Sequence, residues 1–236
     1  MASSTSSDLK LELITTGEKS GTWGTITNTN LQILEQAASG YLSLDVGSGD
    51  VALSLANHAT ANGKNLYYKL TGTLSANRTV TMPDSAERVF IVEDGTTRSS
   101  SNYTLTVKTV SGTGLTLPIG STTVLYSDGT NITGKLQTKG YYTPSATYTT
   151  VNGDQILVDT SGSGIGTAIT INLPASPAIG NEVTFIDSGN NLASNNLTVG
   201  RNGSNINGSA SNLVVSANAS AFTLVYVNAA RGWVYK

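Results

Sequence analysis

The chain has 236 residues, no Cys, a single His and a formal net charge of −2, with only 12% charged residues. That length supports one large or two small domains with real cores. The absence of Cys excludes a disulfide-stapled miniprotein and thiolate zinc sites, and the lone His58 excludes multi-His metal sites and leaves one candidate for any Ser-His-Asp triad. So little positive charge cannot neutralise a phosphate backbone over several contacts, so sequence-independent nucleic-acid binding is not expected. Ser, Thr and Asn make up roughly a third of the chain against 38% hydrophobic residues, a bias towards strands and turns and an uncharged polar surface.

In chain order, the segment from Met1 to Ser7 has neither a cationic start nor an apolar run after it and reads as a flexible tail rather than a secretory signal. No stretch approaches the ~18 apolar residues of a membrane span. The expectation is a soluble chain made in the cytoplasm, with no membrane insertion. Leu9, Leu11 and Leu13 alternate with Lys10 and Glu12, a period-two pattern suited to a short strand or extended arm. Ile26, Leu31, Ile33, Leu34 and Ala37-Ala38 cluster at near-helical spacing; Thr27 or Asn28 would cap the start and Gly40 the end. Residues 1–40 therefore read as an N-terminal attachment segment, an extended arm plus a short helix.

From Tyr41 onward, short alternating runs are broken every eight to twelve residues or so by Gly, Asn or Asp, the spacing of an all-β sandwich or barrel. Asp94-Gly95, Asp128-Gly129, Asn152-Gly153, Asn202-Gly203 and Asn207-Gly208 are turn signals that tolerate positive φ. The chain also repeats itself. Val80-Thr81-Met82-Pro83 matches Ile171-Asn172-Leu173-Pro174, the run from Val89 to Gly95 matches that from Val183 to Gly189, Leu105-Thr106-Val107 matches Leu197-Thr198-Val199, and Val124-Leu125-Tyr126 matches Leu224-Val225-Tyr226. The period, about 91 to 100 residues, is too long for a solenoid or propeller blade and suits a duplicated small domain. The reading is an all-β chain of two tandem sandwich- or barrel-like modules, residues 41–136 and 141–236, split near Leu136–Gly140. Pro83 and Pro174 fit strand ends. Expected core residues are Val89, Ile91, Leu105, Val107 and Leu125 in the first module, and Val183, Phe185, Leu197, Val199, Leu224, Tyr226 and Trp233 in the second.

No motif for chemistry stands out. Gly162-Ser163-Gly164-Ile165-Gly166 lacks the spacing of a dinucleotide loop, and neither Gly63-Lys64 nor Gly134-Lys135 continues as a Walker motif. His58 lies in a polar loop with no nucleophile elbow beside it. Asp187-Ser188-Gly189-Asn190-Asn191 and the Asp45–Asp50 stretch do not fit a Ca²⁺ loop and read as turn chemistry. Seven Asn-x-Ser/Thr sequons are about what composition produces by chance. No catalytic residue, metal or cofactor is expected. Ten Tyr are present, and Tyr67-Tyr68 and Tyr141-Tyr142 are adjacent, so each pair points to opposite faces of any strand it occupies. An exposed Tyr suits a protein interface or stacking on a sugar ring.

The stretch Thr16-Gly17-Glu18-Lys19-Ser20-Gly21-Thr22-Trp23-Gly24-Thr25-Ile26-Thr27-Asn28-Thr29-Asn30 resembles the start of structural proteins of tailed bacteriophages, especially marine ones, often described as tail-fibre-like. The second module resembles a β domain of the same kind of virion protein, through the run from Asp154 to Thr160, Leu173-Pro174 with Pro177, the run from Asn202 to Ile206, and Gly232-Trp233-Val234-Tyr235. The resemblance implies a non-enzymatic virion component, commonly a homotrimer, with other virion proteins of tail, baseplate or capsid as partners and host-surface contact, including surface glycan, as a further expectation. Trp23, Ile26, Leu31, Ile33 and Leu34 are the expected attachment residues, with Trp23 as a buried anchor; Tyr67, Tyr68, Tyr141 and Tyr142 are the expected receptor or interface contacts. Capsid decoration and a carbohydrate-binding adhesin are the alternatives, since no heptad or collagen-like shaft is present.

Overall fold

The computed structural model describes residues 3–100, 102–138 and 140–236, with the backbone alone at 135–138. The regular structure of the described residues is mostly strand, with one α-helix, and they divide into two compact units. The first holds the chain up to Thr97 with Thr104–Leu117 and Thr122–Thr138; the second holds Arg98–Tyr103, Pro118–Ser121 and the chain beyond Thr138.

The first unit opens with a two-stranded hairpin, β1 (Ser4–Thr5) and β2 (Glu12–Leu13), and the helix α1 (Trp23–Ser39). The strands that follow are β3 (Tyr41–Asp45), β4 (Val51–Ala52), β5 (Tyr67–Thr71), β6 (Thr73–Leu74), β7 (Arg78–Met82), β8 (Glu87–Asp94), β9 (Thr97–Arg98), β10 (Leu105–Thr109), β11 (Gly114–Thr116), β12 (Thr122–Asp128) and β13 (Ile132–Thr138). One five-stranded sheet has the order β13-β12-β8-β5-β3 and one four-stranded sheet the order β11-β10-β7-β4. The chain alternates between them, so β3, β5 and β8 pair in parallel in one sheet and β4, β7 and β10 in the other. Tyr41 pairs with Tyr67 and Tyr67 with Ile91, while Val51 pairs with Val80 and Val80 with Val107, so one coil advances 24 to 29 residues. Antiparallel β11, β12 and β13 close the unit.

The second unit runs the same course with β14 (Tyr141–Tyr142), β15 (Tyr148–Thr149), β16 (Gln155–Val158), β17 (Ile169–Asn172), β18 (Glu182–Asp187), β19 (Leu197–Gly200), β20 (Leu213–Val215), β21 (Ala221–Asn228) and β22 (Gly232–Tyr235). Its sheets have the orders β14-β16-β18-β21-β22 and β15-β17-β19-β20, with three parallel strands followed by antiparallel ones in each. The expected sandwich or barrel is therefore replaced by a short β-solenoid course in each unit. Sandwich strands meet through hairpins; here neighbours within a sheet belong to successive coils, and a parallel pair needs a crossover rather than a tight turn. Only some of the turn signals behave as hairpins. Asp128-Gly129 joins β12 to β13, and Asn207-Gly208, with φ of 50° and 81°, closes a two-residue turn between the bridged Ile206 and Ser209. Asp94 instead ends β8 in a side-chain turn, its Oδ1 accepting from Thr96 N–H at 3.1 Å and from Thr96 Oγ1 at 2.6 Å. The expected break at Leu136–Gly140 is strand as far as Thr138, because β13 stays paired to β12 through Thr122↔Thr138.

The inner strands of the larger sheets bury one face and leave the other more exposed, as a sheet with a single packed side must. Phe90, Val92, Leu105, Val107 and Leu125 are buried in the first unit, and Ile156, Val158, Ile171, Val183, Phe185, Leu197, Val199, Leu224 and Trp233 in the second. The expectation for Val89 and Ile91 is reversed: Val89 is 52% exposed and Ile91 shares its outer face, while Phe90 and Val92 point inward. The repeat shifts by one residue for the same reason. The rung Tyr67↔Ile91↔Val124 corresponds to Gln155↔Thr184↔Thr223, so Phe90 matches Val183 rather than Thr184. Tyr226, expected in the core, is only partly buried and packs edge-on to Trp233.

The N-terminal segment is tied to the first unit by polar contacts. Asn30 on α1 replaces a strand partner for Glu12, its Oδ1 accepting from Glu12 N–H at 3.0 Å and its Nδ2 donating to Glu12 O at 2.8 Å. The Glu12 carboxylate pairs with Lys19 Nζ at 2.8 Å and lies 3.8 Å from His58 Nδ1, while His58 Nε2 is 2.7 Å from Thr5 Oγ1. His58 thus fastens the arm rather than lying free in its loop. The helix starts at Trp23 after Thr22, not near Thr27 or Asn28, because the Lys19–Thr22 turn launches it. It ends at Gly40, where a Cβ would sit 2.3 Å from Gln36 O and 2.6 Å from Asn65 Oδ1.

Two cations, Lys64 buried and Arg88 half-buried, are held by backbone carbonyls. Lys64, with no exposed surface, donates from Nζ to Ala56 O at 2.8 Å and Ala59 O at 2.6 Å. Arg88 donates to Gly63 O, Lys64 O and Asn65 O. Lys64→Met is expected to cost about 2–4 kcal/mol by urea unfolding, since it strands two buried carbonyls while keeping the stem's volume. Phe90→Ala should cost about 3–5 kcal/mol and Val89→Ala no more than about 0.5. Equal effects at 89 and 90 would contradict the register.

Candidate contact surfaces

The helix divides its apolar residues between two faces. At about 100° per residue, Ile26, Ile33 and Ala37 fall within about 40° of arc, and Trp23, Leu31 and Leu34 within about 80° on an adjoining face. Ile33 is fully buried and Ile26 half-buried. Trp23, Leu31 and Leu34 are 63%, 57% and 43% exposed, and Leu13 and Ile14 of the arm are also exposed. The five expected attachment residues are therefore not one surface. Ile33 is a core residue of the first unit and cannot meet a partner, because its methyl groups are already used against the first unit. Trp23 is exposed in the chain by itself, as a residue that is to be covered by a partner must be. Clustered exposure of large apolar side chains with a Trp among them is the usual composition of a docking surface.

The Tyr pairs obey strand alternation. Tyr68 is 1% exposed and packs edge-on to Phe90, with centroids 5.9 Å apart at 87°. Burial pushes its phenol up to about 12 despite the nearby Arg88. Tyr67 lies on the outer face, stacked on Tyr41 with centroids 5.7 Å apart at 22°, and donates to Glu93 Oε2 at 2.7 Å. Lys69 Nζ reaches Glu93 at 2.8 Å, and the Lys69 and Tyr67 hydrogen bonds hold the Glu93 carboxyl below its ordinary range. In the second unit Tyr141 is 60% exposed, whereas Tyr142 packs against the core and edge-on to Tyr148, with centroids 5.2 Å apart. Tyr68 is thus closed to any partner and Tyr142 largely so. The residue missed by sequence reading is Tyr41, 59% exposed, which extends the outer rung Tyr41↔Tyr67↔Ile91↔Val124. Its signal was the alternation of Tyr41, Ser43 and Asp45 with Leu42 and Leu44.

The most perturbed acid is buried. Tyr148 Oη donates to Asp154 Oδ2 at 2.8 Å, and Val151 N–H donates to the same oxygen at 2.9 Å. Burial raises the Asp154 carboxyl to about 6, against the lowering effect of both hydrogen bonds and of Arg98, and it raises the Tyr148 phenol too. Asp154 is only 3% exposed, so the pair braces the β15–β16 corner and offers nothing to a substrate. Among the described residues no group of three His, Cys, Asp or Glu side chains could hold a metal ion, and no helix is long and apolar enough to cross a membrane.

No family model matches the chain, and no curated protein does. Among solved structures, a chain from the structure of a chaperone-substrate complex is similar over 83% of this chain, at 14% sequence identity and a TM-score of 0.35. This chain spans 35% of that chain's length.

A carboxyl raised on folding favours the native state below its unfolded value and loses that advantage as pH rises through the folded one. The second unit should therefore lose stability between pH 4 and 6, by about 3 kcal/mol for a shift of this size, and level off above. Asp154→Asn should flatten that slope in urea titrations and be no less stable than wild type at pH 7. For the helix, Trp23→Ser should change stability by less than about 0.5 kcal/mol and Ile33→Ala by about 2–4.

Proposed function

We propose that this chain is a non-enzymatic structural protein of a tailed-phage particle. In this reading it is a short tail-fibre or tail-appendage component, attached through its N-terminal segment with the β units turned outward, where they meet the host surface. The reading rests on the outer stripe of α1, where Trp23, Leu31 and Leu34 face solvent on a helix whose adjoining face is already committed to the first unit. A Trp and two Leu exposed on one face are stabilised when another surface covers them. The phage-like stretch around Trp23 supports the same reading. The partners are then other virion proteins, the association state a homotrimer, and the location the virion. Capsid decoration is a second reading, favoured by the direct passage from a 17-residue helix to β3 with no shaft between them.

The chain should co-purify with density-banded phage particles, and antibody against it should label them in electron micrographs. Full-length protein carrying Trp23→Ser, Leu31→Ser and Leu34→Ser should keep the wild-type circular dichroism yet fail to band with particles. Each such loss is worth about 2 kcal/mol or more, roughly thirtyfold in affinity. Particles that lack the wild-type chain would overturn the proposal. Light scattering at several concentrations reads the trimer directly.

A further inference from the structure

An open groove of about 360 Å³ lies in the second unit between the edge strand β20 and the start of β21, with Tyr235 of β22 on its rim. Three rings lead to it from the core. Phe185, 1% exposed, stacks on Phe222 with centroids 5.2 Å apart at 25°, and Phe222 meets Tyr235 edge-on at 5.5 Å. Tyr235 is 49% exposed, and Val214 across the groove is 55% exposed. The polar side is supplied by hydroxyls: Ser220 Oγ already donates to Ala217 O at 2.6 Å, while those of Ser216 and Tyr235 make no hydrogen bond among the described residues. No charged side chain lines the groove. In the first unit the residues at the places of Phe222 and Val215 are Thr123 and Leu117, both buried, so the ring path belongs to the second unit alone.

We infer that this groove binds a neutral saccharide. A ring wall takes the apolar C–H face of a pyranose, and the free hydroxyls of Ser216 and Tyr235 take its hydroxyl groups. A wholly apolar ligand would leave those hydroxyls desolvated without partners, and an anionic or cationic one would find no counter-charge. The size suits one or two sugar rings at the low end of ligand pockets. The inference gives chemical content to the host-surface contact proposed above and rests on that reading for its biological setting, but its binding step is measured without particles.

Full-length protein is mixed with millimolar methyl α-D-glucopyranoside, methyl α-D-mannopyranoside, methyl β-D-galactopyranoside or N-acetyl-D-glucosamine, and saturation transfer to the sugar ring protons is read by NMR. Transfer to at least one is expected, falling at least tenfold in Ser216→Arg, which fills the groove from an exposed loop, and in Tyr235→Ala. Transfer to none, transfer to glucuronate but to no neutral sugar, or transfer undiminished in both variants would overturn the inference. Absence of the wild-type chain from particles with sugar transfer intact would instead sink the structural reading.

Discussion

Every inner strand of the four- and five-stranded sheets must serve two neighbours in its own sheet while burying one face, and this constraint organises the rest of the structure. Because the chain crosses to the facing sheet after most strands, backbone pairing is made between coils rather than across hairpins. Parallel pairing of this kind leaves open edges at the ends of a stack, and such edges invite unwanted pairing. Antiparallel strands close one end of each unit, β11 to β13 in the first and β20 to β22 in the second.

The long crossings between coils carry backbone groups that no ladder satisfies, and buried polar side chains meet that need. Lys64 and Arg88 gather five carbonyls between Ala56 and Asn65. Asp154 gathers a phenol and an amide at one corner of the second unit. Such groups are costly to bury alone, and these contacts offset that cost, although Arg88 Nε is buried without a hydrogen bond. The arm is secured by the same means, through Asn30, Glu12 and His58, so a weakly hydrophobic N-terminal segment holds an ordered helix against the first unit.

What is left over after these demands is a set of apolar groups that folding does not use. The outer stripe of α1, the Tyr41–Tyr67 rung and the ring path ending at Tyr235 each expose aromatic surface on a sparsely charged, hydroxyl-rich exterior. In the reading proposed above, the stripe of α1 serves attachment and the aromatic surfaces of the β units serve contact with the host.

Alternation and turn chemistry are local properties, and they were legible in the residues themselves: the strand-rich character, the helix running to Gly40, the strand ends at Pro83 and Pro174, and the inward set Leu105, Val107, Val183, Phe185, Leu197 and Val199. The four-residue run Val89-Phe90-Ile91-Val92 has no polar member to set its phase, so either pair could have faced inward; packing against the facing sheet chose Phe90 and Val92. The coil length of 24 to 29 residues was equally hidden, because successive coils occupy equivalent places with unrelated residues, Tyr67 opposite Ile91 for example. Nor could spacing alone separate Ile33 from Leu34. Local sequence determined which segments form strands and a helix. Only tertiary contact decided which strands pair, which face is buried and which apolar residues remain for a partner, since those choices depend on groups far apart in the chain.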